Sequence, residues 1–332
     1  MRGRRRIPAR ERGAALLTVL LLVAVTGALT AAALEKLRLS TALAVNNAAL
    51  EQARAYASGI ESLLALRIDD LIAASPDRTT LAGDWNGQQR TLPLPGGGMA
   101  EAVIRDGGNC FNINSLAEGV DPTALKPRPA GIAQFINLMR VLEVPEGVAR
   151  RIAEGAGDWV DADLDQSPQG AEDPVYADAA TPYRAGNTFF ADVSELRAVN
   201  GMTPDIYKKL RPWLCALPTT DLSPINVNTL MPEQAPLLAM LAPDQIRIET
   251  ARQAIARRPA AGWETIADFY AEPALRGIVL PLDVQLQPQL RTRWFTLDLQ
   301  IGLRGAELTE TALVDARLAP SKIVSRRWGS DD

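Results

Sequence analysis

The stretch RERG (residues 10–13) followed by AALLTVLLLVAVTGALTAAAL (14–34) decides where this chain sits and how its fold begins. At about 1.5 Å of helical rise per residue, the uncharged run spans roughly 30 Å, the depth of a bilayer's hydrocarbon core. Arg2, Arg4, Arg5, Arg6, Arg10 and Arg12 precede it. Such a basic leader holds the short N-terminal end on the cytoplasmic side, so the bulk after Leu34 is expected across the membrane.

Three readings fit this start. A cleaved secretory signal would use Ala31-Ala32-Ala33 as its small-residue site. A plain signal anchor would stay uncut. A prepilin-like leader would be cut between Gly13 and Ala14 on the cytoplasmic side, leaving the apolar helix in place. Apolar periodicity beyond Leu34 favours retention, because Ala53, Ala57, Ile60, Leu64, Ile68 and Leu71 recur at steps of three and four. No proline interrupts Ala14 to Ser75, so one helix of about 60 residues is expected, stopping at Pro76. The alternative is a separate amphipathic helix joined through Asn46-Asn47.

With 332 residues and 47% hydrophobic content, the chain can bury a sizeable core in two or three domains. Loss of the leader would remove six arginines and one glutamate, taking the net charge from −4 to −9. An acidic protein of this kind lacks the clustered basic surface that nucleic acid requires. With no histidine in the chain, Ser-His-Asp triads, Cys-His nucleophiles and the usual His-containing zinc sites are excluded. Cys110 and Cys215 are expected to pair in an oxidising compartment, closing a loop of about 105 residues for about 4 to 5 kcal/mol in the chain-entropy account. Two buried free thiols are the alternative.

Gln88–Leu92 and Glu101–Arg105 read as strands separated by the Gly96-Gly97-Gly98 turn, and Trp294–Leu303 alternates apolar with polar residues. Arg304-Gly305-Ala306 reads as a turn into a partner strand, Thr309–Leu318. The expected class is α+β: a long N-terminal helix on a small antiparallel sheet, interrupted by a mostly helical insertion. The segments are a leader (1–13), a membrane helix (14–34), a first sheet-forming part (35–114), the insertion (115–285) and a second sheet-forming part (286–332). The insertion carries an internal echo: Phe111-Asn112-Ile113-Asn114-Ser115-Leu116 against Ile225-Asn226-Val227-Asn228-Thr229-Leu230. Ser115 and Thr229 are expected to cap the helices that follow. Phe190–Leu196 and Trp263–Phe269 continue the parallel, giving two related helical subdomains. The second copy resembles helix-hairpin-helix modules, which would make a DNA-uptake adaptor. The hairpin positions Leu241-Ala242-Pro243-Asp244 and Val199-Asn200-Gly201-Met202 lack paired glycines, which favours a structural scaffold.

Eight carboxylates fall between Glu154 and Asp178 (Glu154, Asp158, Asp161, Asp163, Asp165, Glu172, Asp173 and Asp178) with no lysine or arginine among them. Unpaired like charge at this density calls for solvent or a cation. Asp161-x-Asp163-x-Asp165 with Glu172 twelfth imitates an EF-hand loop, yet Gln166 replaces its glycine and Pro168 is foreign to it. The expectation is Ca2+ in an irregular loop held by Asp161, Asp163, Asp165, Glu172 and Asp173, with further oxygens from Asn187 and Asp192. A solvated acidic loop is the bland alternative. A carboxylate-dependent hydrolase of the glycosidase kind is disfavoured by the absence of a protected carboxyl pair and by an aromatic content of 5%.

Gly13 before the apolar run, Asp158-Trp159-Val160-Asp161, Gly170-Ala171-Glu172-Asp173 with Tyr176, Pro182-Tyr183-Arg184 with Asn187, Ser194-Glu195-Leu196 and Ile225-Asn226-Val227-Asn228-Thr229 together resemble the K minor pseudopilins of type II secretion. The likeness covers nearly the whole chain. It implies a pilin-like fold with a helical insertion, a calcium site in that insertion, and cleavage by prepilin peptidase. It also implies inner-membrane anchoring and a place at the pseudopilus tip with minor pseudopilins I and J, serving export of exoproteins and not catalysis. At the fifth mature position, where most pseudopilins carry glutamate, stands Thr18, as the K member would have it. An unpaired carboxylate in the bilayer core would be costly for a subunit with no neighbour above it. Ala14 departs from the phenylalanine or methionine common at the first mature position. A bulky insertion suits a single-copy cap.

Overall fold

A computed structural model describes residues 9–329. Most of the leader's arginines, Arg2, Arg4, Arg5 and Arg6, lie outside the described residues. Helix α1 runs unbroken over Ala9–Ala74, with the expected stop before Pro76 and no break at Asn46-Asn47. Its segment from Ala14 onward is long and apolar enough to cross a membrane, and the apolar window is unburied. Thr18, Thr26 and Thr30 donate their hydroxyls to the carbonyls of Ala15, Leu22 and Thr26, so their polarity is satisfied within the helix.

The lower half of α1 lies on a five-stranded antiparallel sheet. Its strands are β1 (Gln89–Pro93), β2 (Gly98–Asp106), β3 (Trp294–Leu303), β4 (Ala306–Asp315) and β5 (Lys322–Trp328), adjacent in chain order. Ala53, Ala57 and Ile60 pack on Ala100, Ala102, Leu299, Ile301 and Leu308. Further along, Ile68 meets Ile104, Phe295, Leu297, Ala312 and Val314. Alanine on the helix lets backbone and sheet approach closely, which is why a face of modest hydrophobicity suffices.

Strand β3 has the expected bounds, but β4 begins and ends three residues earlier than Thr309–Leu318. The turn is the two-residue Arg304-Gly305 pair, both at positive φ (50° and 84°), the backbone that a tight hairpin requires. Leu318, placed in the strand by its hydrophobicity, is 83% exposed instead. Strand β5 has no counterpart in the sequence reading. It is an edge strand with little buried surface, and such strands carry no alternation to detect.

The insertion leaves the sheet at Asp106 and returns at Trp294, on neighbouring strands: Asp106 pairs with Phe295, and Gly107 N–H donates to Trp294 O at 2.8 Å. It therefore hangs from the end of one antiparallel pair. Its helices are α2 (Pro129–Val141), α3 (Glu146–Val160), α4 (Asp173–Ala177), α5 (Pro204–Leu210), α6 (Ala235–Ala239), α7 (Ile248–Ala256) and α8 (Ile266–Tyr270). One apolar cluster running from Phe111 to Val284 holds them together.

The internal echo is a hydrogen-bonded repeat. Phe111–Asn112 pairs in parallel with Leu214–Cys215, and Ile225–Asn226 with Pro288–Gln289, so each copy opens and closes on one short ladder. Asn114 exchanges hydrogen bonds with the backbone of Phe190 (2.7 and 3.0 Å), and Asn228 does the same with Trp263 (2.7 and 3.0 Å). The caps differ from expectation. Asn112, not Ser115, accepts the N–H at the start of the Ile113–Leu116 turn of 3-10 helix, while Ser115 Oγ donates back to Asn112 O at 2.6 Å. A ring of local bonds therefore forms where a simple cap was expected. Thr229 likewise donates, to Asp106 Oδ2 at 2.5 Å and to Asn226 O at 3.2 Å. Cys110 and Cys215 form a disulfide, with Cα atoms 5.8 Å apart.

Gly131 marks a close contact between backbones in the insertion. A Cβ there would lie 2.0 Å from Ser115 O and 2.8 Å from Ser115 C, both backbone atoms. Gly131→Ala is expected to destabilise the protein by about 3 kcal/mol or more, as overpacking against rigid backbone does, lowering its denaturant midpoint. Gly147→Ala, with open space around it, leaves the midpoint near that of the parent.

Candidate metal centre

Helix α3 ends at the acidic run. Its last turn carries Asp158, and Asp161 is its C-cap residue. The chain then loops through Asp163 and Asp165 to Glu172, which precedes α4, and the Asn187 loop folds back over it. Asp161 is fully buried and Glu172 is 2% exposed. All four of their carboxylate oxygens, and Asn187 Oδ1, are buried without a hydrogen-bond partner. Asn187 sits at φ 44°, a strained backbone, and its Nδ2 donates to Asp163 O at 3.3 Å.

Burial, then the charges of Asp163, Asp158 and Glu172, push the Asp161 carboxyl up to about 7. Glu172 is likewise pushed up to about 7, by burial first and by Asp158 next. Asp158, which the run of carboxylates contained but the ligand expectation omitted, is fully buried and raised mainly by burial. It accepts the Ser167 N–H at 3.1 and 3.3 Å. A Cβ on Gly170 would lie 2.0 Å from Asp158 Oδ2, so glycine is needed for that carboxylate to enter. Its signal in the sequence was its position one helical turn before Asp161.

The remaining expected ligands stand apart. Asp163 turns its carboxylate to the Asp165 N–H at 2.8 Å, and Asp165 is exposed. Asp173 accepts the Ala185 N–H at 3.0 Å and lies 3.8 Å from Arg184 Nε, which pins the returning loop. Asp192 belongs elsewhere: it caps the Val193–Ala198 turn and pairs with Arg327 at 2.8 Å. Among the described residues, no three acidic, histidine or cysteine side chains converge at metal-ligand distances. The oxygens left with nothing to accept, those of two carboxylates and one amide, match the chemistry of a hard divalent cation. When bound, such an ion would neutralise Asp161 and Glu172 and tie α3, α4 and the Asn187 loop together.

Helix, sheet and suspended helical insertion define a pilin-like α+β subunit with an apolar N-terminal helix that fits a single-pass membrane anchor. Residues 109–219 and 225–291 match two families, each described as type II secretion system (T2SS), protein K. A type II secretion system protein K of Pectobacterium carotovorum is 32% identical over 96% of this chain and 97% of its own length. That of Klebsiella pneumoniae is 38% identical over 80% of this chain and 81% of its own. The crystal structure of the GspK-GspI-GspJ complex from enterotoxigenic Escherichia coli contains a chain that superposes with a TM-score of 0.73 at 32% identity, covering 85% of this chain and 97% of that one. The chain belongs to the type II secretion system protein K family.

Because the folded carboxyls of Asp161 and Glu172 are pushed up to about 7, above their ordinary range near 4, their contribution to the stability of the metal-free protein is complete below about pH 4 and is lost as pH rises through about 7. Calcium is expected to raise the melting temperature strongly at about pH 8 and little at about pH 5. Asp161→Asn is expected to melt below the parent in calcium and above it in chelator at about pH 8, since the amide removes an uncompensated buried charge. Scanning calorimetry of the four combinations checks both signs.

Proposed function

We propose that this chain is the minor pseudopilin at the tip of the type II secretion pseudopilus, assembling with the I and J minor pseudopilins and limiting further growth. The observation that carries this reading is the insertion. It hangs from the β2–β3 end of the sheet and buries its own core from Phe111 to Val284, a bulk that repeated copies along a shaft would have to accommodate at every step. Thr18 supports it, because a hydroxyl satisfied by Ala15 O asks for no charged neighbour in the bilayer. The likeness to a chain from a GspK-GspI-GspJ complex supports the choice of partners.

Prepilin peptidase would cut between Gly13 and Ala14, and α1 would remain in the inner membrane with the bulk of the chain in the periplasm. Calcium held by Asp161, Glu172 and Asn187, with Asp163, Asp165 and Asp173 in the same loop, would stiffen the cap that faces exoproteins. Chain isolated from native envelopes is expected to begin at Ala14 and to co-purify with I and J in one copy per complex, read by N-terminal sequencing and native mass measurement. A mature chain beginning beyond Leu34, or many copies per fibre, would remove the proposal.

A further inference from the structure

Midway along the contact between α1 and the sheet, a charged cluster separates the two apolar patches. Glu61 of α1 and Glu310 of β4 are each 1% exposed. Arg326 of β5 donates through Nε to both oxygens of Glu61, at 2.8 and 3.0 Å, and stands 3.8 Å from Glu310 Oε1. Neither Glu310 oxygen has a donor among the described residues. The group within hydrogen-bonding reach is the Glu61 carboxylate, which only accepts, so the contact closes only when a proton lies between the two. Among the described residues no other charge balances the pair: β3 offers Leu297 and Leu299 on this face, β2 offers Ala102, and Arg54 of α1 lies over the Trp328 ring instead.

We propose that Glu61 and Glu310 share one proton across the helix–sheet contact, with Arg326 as its single counter-charge, and that loss of this proton unlatches strand β5 from α1. With the proton in place, Glu310 donates to Glu61, and Glu61 keeps its charge for Arg326. Without it, two buried carboxylates face one guanidinium, and the least expensive escape is for Arg326 and the edge strand that bears it to move toward water. Burial first, and then Glu61, push Glu310 up to about 8. Its contribution to stability is therefore complete below the ordinary glutamate range near 4 and lost as pH rises through about 8. Strand β5 is the outermost strand on its side of the sheet, so the latch governs how firmly an edge is presented to a neighbouring subunit.

The test uses the full chain in detergent with excess calcium, which keeps the carboxylates of the acidic loop out of the titration. In the parent, amide protection factors over Ile323–Trp328 are expected to fall at least about tenfold between about pH 6 and about pH 9, and the melting temperature by about 3 °C or more. Glu310→Gln supplies a permanent donor to Glu61 and is expected to abolish both changes. Infrared difference spectra of the parent add a readout independent of any variant: a protonated-carboxyl band present at neutral pH and lost through about pH 8. Protection and melting in the parent that do not change with pH, an unchanged fall in Glu310→Gln, or no such band would each overturn the proposal.

Discussion

The structure depends on the half-buried Asp106, whose carboxylate joins its two halves. At the last residue of β2 it accepts the hydroxyls of Thr229 and Thr292 and the N–H groups of Gly108 and Asn109. Burial raises its pKa, and those four donors work against the rise. Around it, Asn226 N–H donates to Asn109 Oδ1 at 2.8 Å, while Asn226 Nδ2 reaches Thr79 O and Thr292 Oγ1 at 3.0 and 2.9 Å. The strand end, the loop after α1, the second copy of the repeat and the return strand thus meet at one polar knot. A domain hung from two adjacent strands has little else to fix its angle, and directional hydrogen bonds set an angle where apolar contact would not.

Two sets of buried carboxylates elsewhere show how differently the fold treats negative charge. Asp106 has donors enough to be satisfied inside the protein. Asp161 and Glu172 have none, and the amide oxygen of Asn187 is likewise buried without a donor. Glu310 meets another carboxylate, with Arg326 as the only nearby cation among the described residues. Desolvation is common to all three sites, and they differ in the supply of donors.

The proposed function draws on the contrast between the two ends of the molecule. A straight helix with threonines satisfied inside its own backbone can lie among other helices in lipid. The head's repeat is held by reciprocal asparagine bonds and one disulfide. A rod that can join and a bulky head are the features on which the proposed tip position rests.

The long helix, its buried alanine face, strand β3 and the repeat were legible in the residues themselves, because each is a periodic pattern over neighbours in the chain. The acidic loop was legible as composition, since eight carboxylates without a cation are conspicuous at any resolution of reading. Strand β5 and the roles of Asn112 and Asp158 were not, since none of them carries a periodic pattern, and neither was the departure of Asp192 to Arg327, whose partner lies far along the chain. Sequence alone determined the rod, the sheet's alternation and the density of negative charge, which are set by local spacing. Only the tertiary structure decided which carboxylates lose their water and which find donors, because desolvation is a property of what packs against a side chain and not of its neighbours in the sequence.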